Sequence, residues 1–290
     1  MSATTDRQWN LDKLGHWGAP SRFEVTRERI VAYAEATNDE HPAHRSGELA
    51  PPVFPVVGAL IDVLAPAIMA VVPGEVAMRV VHGEQDFRYH QPIVPGMALV
   101  SRAAAIGVHG ASSGVVVLGK AVTETEGGDP VVDQYMAAFF RGAQLDVHEG
   151  EPLTDHGFDE SVRSEKPAAS VTHGFDADQT QRYSQASGDP MPIHLDDDFA
   201  KAMGLPGIIV HGLCTMAFCS RAVVGEFCAE DPTRLRRLAV RFAKIVQPSE
   251  RVTHRLWRAG EDAGVRRVVF ETTSDNGNVA IKDGLAEIGA

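Results

Sequence analysis

Asp189 and His194 stand five residues apart, with Pro190 and Pro192 between them. A carboxylate and an imidazole in one short segment form a general acid–base pair: together they can take a proton from a bound water and deliver one to a neighbouring atom. The two prolines forbid a regular helix across the segment, so it is extended or irregular and held stiff. Gly212 follows at the start of a strongly apolar run, where unpaired helical N–H groups and the positive end of the helix dipole can stabilise a developing oxyanion. Taken alone, an aspartate and a histidine near prolines more often stabilise a turn than form a catalytic dyad, so the surrounding pattern has to decide.

That pattern occurs twice. Tyr33, Asp39 and His44 return as Tyr183, Asp189 and His194, each 150 residues further on. Arg88 to Pro95 likewise recurs as Arg241 to Pro248, and Ala50-Pro51-Pro52 as Leu205-Pro206-Gly207, the second copy carrying five more residues between its histidine and that turn. Two copies imply a duplication; a solenoid would need three or more. The N-terminal half is 1–145, an acidic stretch without sustained period over 146–170 reads as a surface linker, and the C-terminal half is 171–290. Each half has a short helix before its Asp-His segment, a Pro- or Gly-rich turn, a strongly apolar helix and then strands. The run from His211 to Cys219 is apolar around most of its circumference, so a sheet must enclose it. Val56 to Val72 reads as the buried helix of the first half, too interrupted by Asp62 and Pro66 to span a membrane. Strands are expected at 114–122, 130–140, 236–242, 252–257 and 265–273. The fold class is α+β, and two such domains in one chain would match a dimer of single domains.

Composition bounds the partners. The 290 residues are 44% hydrophobic and 23% charged, with a net charge of −12 and a pI near 5.4. That balance is globular and acidic, which excludes nucleic acid as an expected partner. The first ten residues lack the basic and apolar regions of a secretory signal. Three clustered cysteines suit a reducing cytoplasm, packed as small apolar residues on a core helix.

The segment from Tyr183 through Asp189-Pro190-Met191-Pro192-Ile193-His194-Leu195-Asp196 to Phe199-Ala200, with His211-Gly212 following, resembles the signature of MaoC-like (R)-specific enoyl-CoA hydratases. It departs at Met191, where asparagine is usual. The resemblance covers nearly the whole chain, the first half looking like the degenerate half of double-hotdog members. It implies two tandem hotdog domains, each an antiparallel sheet wrapped around a central apolar helix. The implied activity is that of a hydro-lyase of fatty acid metabolism: hydration of trans-2-enoyl thioesters of CoA or acyl carrier protein to (R)-3-hydroxyacyl thioesters, or the reverse dehydration. Asp189 and His194 are then the catalytic pair and the Gly212 amide the oxyanion donor, with no metal or redox cofactor. Ser220 either approaches the catalytic aspartate, as in some relatives, or bonds its own helix. Arg241 and Lys244 are candidates for an anionic substrate group, or strand-edge cations that keep a surface soluble. Tyr183 and Gly188 are expected to serve structure, and Asp196 to anchor or cap the next helix or to orient the loop carrying His194.

Asp39 and His44 keep the spacing and stand as a vestigial second site. The loop after His44 is short, and Val56-Val57 replaces His211-Gly212, so this half is expected to accommodate the acyl chain. His41 and His44 suggest a metal, but no cysteine or carboxylate cluster completes a ligand set. Two rival functions remain. Thioester hydrolysis on the same fold would release free thiol, and a non-catalytic acyl-thioester-binding subunit would bind without turnover. Pairing of chains into a homodimer is open.

Overall fold

The structure, a computed structural model, describes residues 8–290. Residues 1–7, part of the segment examined for a leader, lie outside the described residues. The chain divides into two compact units: 1–23, 58–87 and 98–155 form one, and 24–57, 88–97 and 156–290 the other. These units do not follow the linear halves. The first copy of the Asp-His segment, with the turn after it, belongs to the same unit as the second copy.

The first unit holds strands β1 (Ser21–Glu24), β2 (Val80–Tyr89), β3 (Ala98–Ala111), β4 (Gly114–Thr125) and β5 (Pro130–Arg141) in the order β1-β3-β4-β5-β2. β3, β4 and β5 are antiparallel neighbours. β6 (His148–Gly150) adds to β3. β4 and β5 cover the expected runs, β4 running on to Thr125 and β5 to Arg141. The expected helix over 56–72 is not one regular helix. A wide π turn, Leu60–Leu64, closed by i→i−5 bonds from Leu64 N–H to Ala59 and Ala65 N–H to Leu60, leads into a short α-helix, Ala65–Met69. Pro66 is the reason: it has no N–H to donate to the carbonyl four residues earlier, and it is tolerated only because it sits in the first turn of the α segment. Leu64 and Ile68 lie so close over β4 that any side chain at Gly119 would meet them at 2.8–2.9 Å.

The second unit has β7 (Ala169–Gly174), β8 (Leu235–Phe242), β9 (Arg251–Asp262), β10 (Val265–Ser274) and β11 (Val279–Ile288), ordered β8-β11-β10-β9-β7 with antiparallel neighbours throughout. The helix Gly212–Phe227 packs against β7, β8, β9 and β11, and twelve of its sixteen residues are buried. That burial on nearly every side is what its all-round apolar sequence requires. Residues expected to form a featureless linker are ordered instead. β6 pairs with β3, and a short helix, Glu160–Ser164, follows. Phe158 and Val162 pack on the face of Ala239, Trp257, Val269 and Leu285, and Arg163 pairs with Glu271 and Asp283. The acidic composition of this stretch concealed the few apolar residues that tie it down.

Two helices at the duplicated segments, Arg27–Ala36 and Gln179–Ser187, pack on each other. Their matching tyrosines meet: the hydroxyls of Tyr33 and Tyr183 are 3.2 Å apart, both side chains are fully buried, and burial pushes both phenols well above their ordinary pKa. Tyr183 is thus structural, as its sequence context suggested.

Candidate active site

The helix Gln179–Ser187 stops at Gly188, whose φ of +77° turns the chain in the left-handed region where glycine carries no steric cost. Asp189 follows immediately. Its backbone is fixed at both ends, Ser184 Oγ donating to its carbonyl at 2.6 Å and its N–H reaching Ser187 Oγ at 3.3 Å. One carboxylate oxygen accepts the Met191 N–H at 3.1 Å. The prolines then lead into a single 3₁₀ turn, Pro192–His194, and Asp196 caps the helix Asp197–Ala202 by accepting the Phe199 N–H at 2.9 Å. The predicted capping role of Asp196 is therefore the observed one.

His194 is buried, and its Nδ1 lies 2.8 Å from the carbonyl of Ile209. A carbonyl can only accept, so Nδ1 carries the hydrogen and Nε2 keeps its lone pair. Burial lowers the His194 pKa below its usual value, so the ring is neutral near pH 7. Asp189 makes no hydrogen bond to His194 among the described residues, which leaves carboxylate and imidazole as two independent acceptors.

A third side chain completes the cluster. His211 is buried and stacks on His194 with ring centroids 3.7 Å apart, and on its other side meets Tyr183 at 4.9 Å. Neither of its ring nitrogens has a hydrogen-bond partner among the described residues. Burial, reinforced by the adjacent His194, pushes its pKa down to about 2, so it is neutral at any ordinary pH. Donor atoms of Asp189, His194 and His211 all lie within 4.8 Å of one another, a spacing that one water can bridge with ordinary hydrogen bonds and that could also accept a metal ion. Sequence reasoning used His211 only as a motif partner of Gly212. The available signal was a histidine set between Ile208-Ile209-Val210 and an apolar helix, where an imidazole has no solvent to satisfy it.

Gly212 opens the helix, and no side chain caps it. The first intrahelical bond runs from Thr215 N–H to the His211 carbonyl, so the earlier amides lack the intrahelical partners that later ones have. A side chain on Gly212 would press the Phe242 ring at 3.1 Å. The second unit thus places Asp189, His194, His211 and the N-terminus of the helix that Gly212 opens together.

Residues 157–279 match the family model described as the MaoC like domain, and residues 12–134 match the FAS1-like, dehydratase domain region. A 3-hydroxyacyl-thioester dehydratase Y of Mycobacterium tuberculosis is 30% identical over 71% of this chain and 71% of its own length. The chain belongs to the MaoC-like dehydratase family. Its likeness extends end to end in a peroxisomal enoyl-CoA hydratase 2 of Arabidopsis thaliana, 24% identical over 99% of this chain and 97% of that one. A MaoC-like dehydratase from Phytophthora capsici shares the fold, with a TM-score of 0.80 and 24% identity over 97% of this chain and 99% of the other. The fold is two tandem hotdog domains, as the family resemblance implied.

Against this family frame the remaining sequence candidates separate. Ser220 makes no hydrogen bond to Asp189 among the described residues: its Oγ donates to the Ala217 carbonyl of its own helix at 2.8 Å, and it lines a cavity beside Asp39 and His44. Arg241 is paired at 2.7 Å with Asp283, which also binds Arg163. Lys244 is exposed at the end of β8. Asp39 and His44 keep the sequence spacing of Asp189 and His194 but are joined directly, Nδ1 to Oδ2 at 2.9 Å, and both are buried. Burial alone would raise the Asp39 pKa. The hydrogen bond and charge of His44, the His41 N–H and the nearby Arg221 outweigh it and bring the carboxyl below its usual range.

Among the described residues no helix is long and apolar enough to cross a membrane.

Proposed function

We propose that the chain adds water across the double bond of a trans-2-enoyl thioester to give the (R)-3-hydroxyacyl thioester, and catalyses the reverse dehydration, as a hydro-lyase working from the second unit. The relatives named as hydratases and dehydratases support this reaction class. The observation that carries the assignment to these residues is the wiring of Asp189 and His194: two acceptors within 4.8 Å that are not bonded to each other. One water bridges them. His194 Nε2 takes a proton as the water oxygen attacks the β-carbon, while Asp189 accepts a hydrogen bond from the other O–H, which stays on the oxygen as the product hydroxyl, and balances the imidazolium that forms. The electron pair of the double bond moves onto the thioester oxygen, where the open amides at Gly212 stabilise it. The imidazolium Nε2–H then protonates the α-carbon and the carbonyl re-forms. Proton and hydroxyl arrive from one water on one face, which makes the addition syn.

The same groups account for the reaction without a metal or redox cofactor. The thioester is carried by CoA or by acyl carrier protein, and the protein works alone or as a homodimer. A reducing compartment, cytoplasm in our reading, suits its three free buried cysteines. The test is loss of enoyl-thioester absorbance with trans-2-enoyl-CoA substrates, product handedness being read by stereospecific dehydrogenases. Release of free thiol, or binding without turnover, would overturn the reading.

A further inference from the structure

His211 has no part in the proton transfers proposed above, yet its ring lies directly on the base. Its backbone is fixed where the helix Gly212–Phe227 begins, the His211 carbonyl accepting the Thr215 N–H at 3.1 Å. The side chain is buried, and neither nitrogen makes a hydrogen bond among the described residues. What holds it is ring contact. It stacks on His194 with centroids 3.7 Å apart and planes 25° from parallel, and the Tyr183 ring meets it at 4.9 Å. Tyr183 is itself buried, its hydroxyl 3.2 Å from that of Tyr33. The two imidazoles are thus stacked against a fixed tyrosine.

One hydrogen bond does not by itself aim an imidazole. The bond from His194 Nδ1 to the Ile209 carbonyl, at 2.8 Å, fixes one edge and leaves the ring able to swing about it. A flat ring against its face removes that swing. Both restraints come from one stretch, 209–211, which is tied down by Ile209 N–H to the Ile193 carbonyl at 3.2 Å and by Val210 N–H to the Val246 carbonyl at 2.8 Å. The stacked partner also carries the right charge. Burial and the adjacent His194 bring the His211 pKa down to about 2 against the pull of the Asp189 carbonyl, so the ring beside the base stays neutral. The face of a neutral aromatic ring attracts a cation, whereas a second imidazolium would repel one. In the first copy Val56 stands at the matching position, and His44 is held by the Asp39 carboxylate instead. We infer that His211 is a positioning residue for the hydration proposed above: its ring fixes the plane of His194 so that Nε2 faces the water, and its face steadies the imidazolium that forms.

This role rests on that reaction, and the test separates the two. The full chain is compared with His211→Leu and His211→Phe by loss of enoyl-thioester absorbance, with thermal melting as the check on folding. Both variants lose the polar atoms, and only phenylalanine keeps a flat ring. Leucine should lower kcat by about ten- to thirtyfold, the scale of a desolvated cation–π contact, with KM held because the imidazolium exists only during reaction. Phenylalanine, whose face also attracts a cation, should bring kcat back to within about threefold of the parent. The imidazole nitrogen resonances of His194 should report the Nδ1–H tautomer in the parent and the phenylalanine variant, and a mixture of tautomers in the leucine variant. His211→Met, also without a ring, serves if the leucine variant does not fold. A folded ringless variant with parental kcat, a phenylalanine variant as impaired as the leucine one, a loss carried by KM, or unchanged His194 resonances in the ringless variant would overturn the role of the ring and leave the hydration reading standing. A parent that hydrates no enoyl-CoA would overturn both.

Discussion

Replacing Asp189 by asparagine removes a charge and little else. The amide oxygen can still accept the Met191 N–H now held at 3.1 Å, and the two serine contacts at 184 and 187 involve only the backbone of residue 189. The loop geometry should persist, and stability should change by no more than about 0.5 kcal/mol, as for substitutions that break no packing or network. Catalysis loses more. With the half-buried carboxylate up to 4.8 Å from the imidazole, the imidazolium that forms during reaction is favoured by about 332/(20 × 4.8), or roughly 3.5 kcal/mol, at an effective dielectric constant near 20. That alone is a factor of about 300, and loss of the second acceptor for the attacking water brings the expected fall in kcat to about a thousandfold. Both effects act in the transition state, so KM should hold. Enoyl-thioester absorbance gives the rates, and thermal melting checks the fold. A folded Asp189→Asn with kcat within tenfold of the parent would refute the pairing and move the chemistry away from this loop.

Other substitutions and conditions test the neighbouring steps. Gly212→Val, the side chain found at the matching Val57, presses Phe242 and crowds the open amides; kcat should fall by about 10²–10³, the usual scale for losing an oxyanion donor, and an unaffected rate would remove Gly212 from the mechanism. Since His194 must be neutral to accept a proton and burial lowers its pKa from 6.5, the acid limb of kcat/KM should lie below pH 6.5 with no loss above it; a midpoint above 6.5 would contradict the assigned state. Stability should fall on acidification from pH 6.5 towards 4, because His211 and His254 have folded pKa values near 2 and 3, so the unfolded chain takes up protons first, at about 1.4 kcal/mol per pH unit for each group; denaturant melts across that range would detect it. Exhaustive chelation should leave activity unchanged, and added zinc should inhibit by occupying Asp189, His194 and His211; loss of activity on chelation, restored by metal, would reverse the cofactor-free reading.

Much of this molecule is written in local pattern. Alternation and turn residues locate β4, β5, β8, β9 and β10 to within a few residues of 114–122, 130–140, 236–242, 252–257 and 265–273, except that β9 runs on to Asp262. Apolar residues on all sides of 211–219 foretell an enclosed helix, and the repeat foretells two similar sets of antiparallel strands. What escapes is set by contacts distant in sequence. Pro66 breaks the first apolar helix in a way composition does not weigh, and Phe158 and Val162 order a stretch whose average is acidic. Residues 24–57 join the second unit because Tyr33 meets Tyr183 and Gln179 donates to the Ala36 carbonyl at 2.6 Å, pairings that spacing alone does not reveal.

The comparison of the two copies shows why a conserved spacing is a weak guide to chemistry. Both place an aspartate five residues before a histidine, yet the histidines turn their Nδ1 to different partners. In the first copy Nδ1 takes Asp39 itself, and the pair satisfies its own charge. In the second copy the longer stretch between His194 and the helix brings the Ile209 carbonyl back over the ring, 15 residues on, and this carbonyl occupies Nδ1 in place of the carboxylate. Asp189 and Nε2 are thereby both left for a water. A neutral backbone carbonyl also orients the ring without adding a charge that would hold a proton on it, in keeping with the lowered His194 pKa. The inserted residues that appear in the sequence as mere loop length are, on this argument, what releases the acid–base pair from its own hydrogen bond; shortening 204–208 should therefore restore direct Asp189–His194 contact and cost activity while leaving both residues in place.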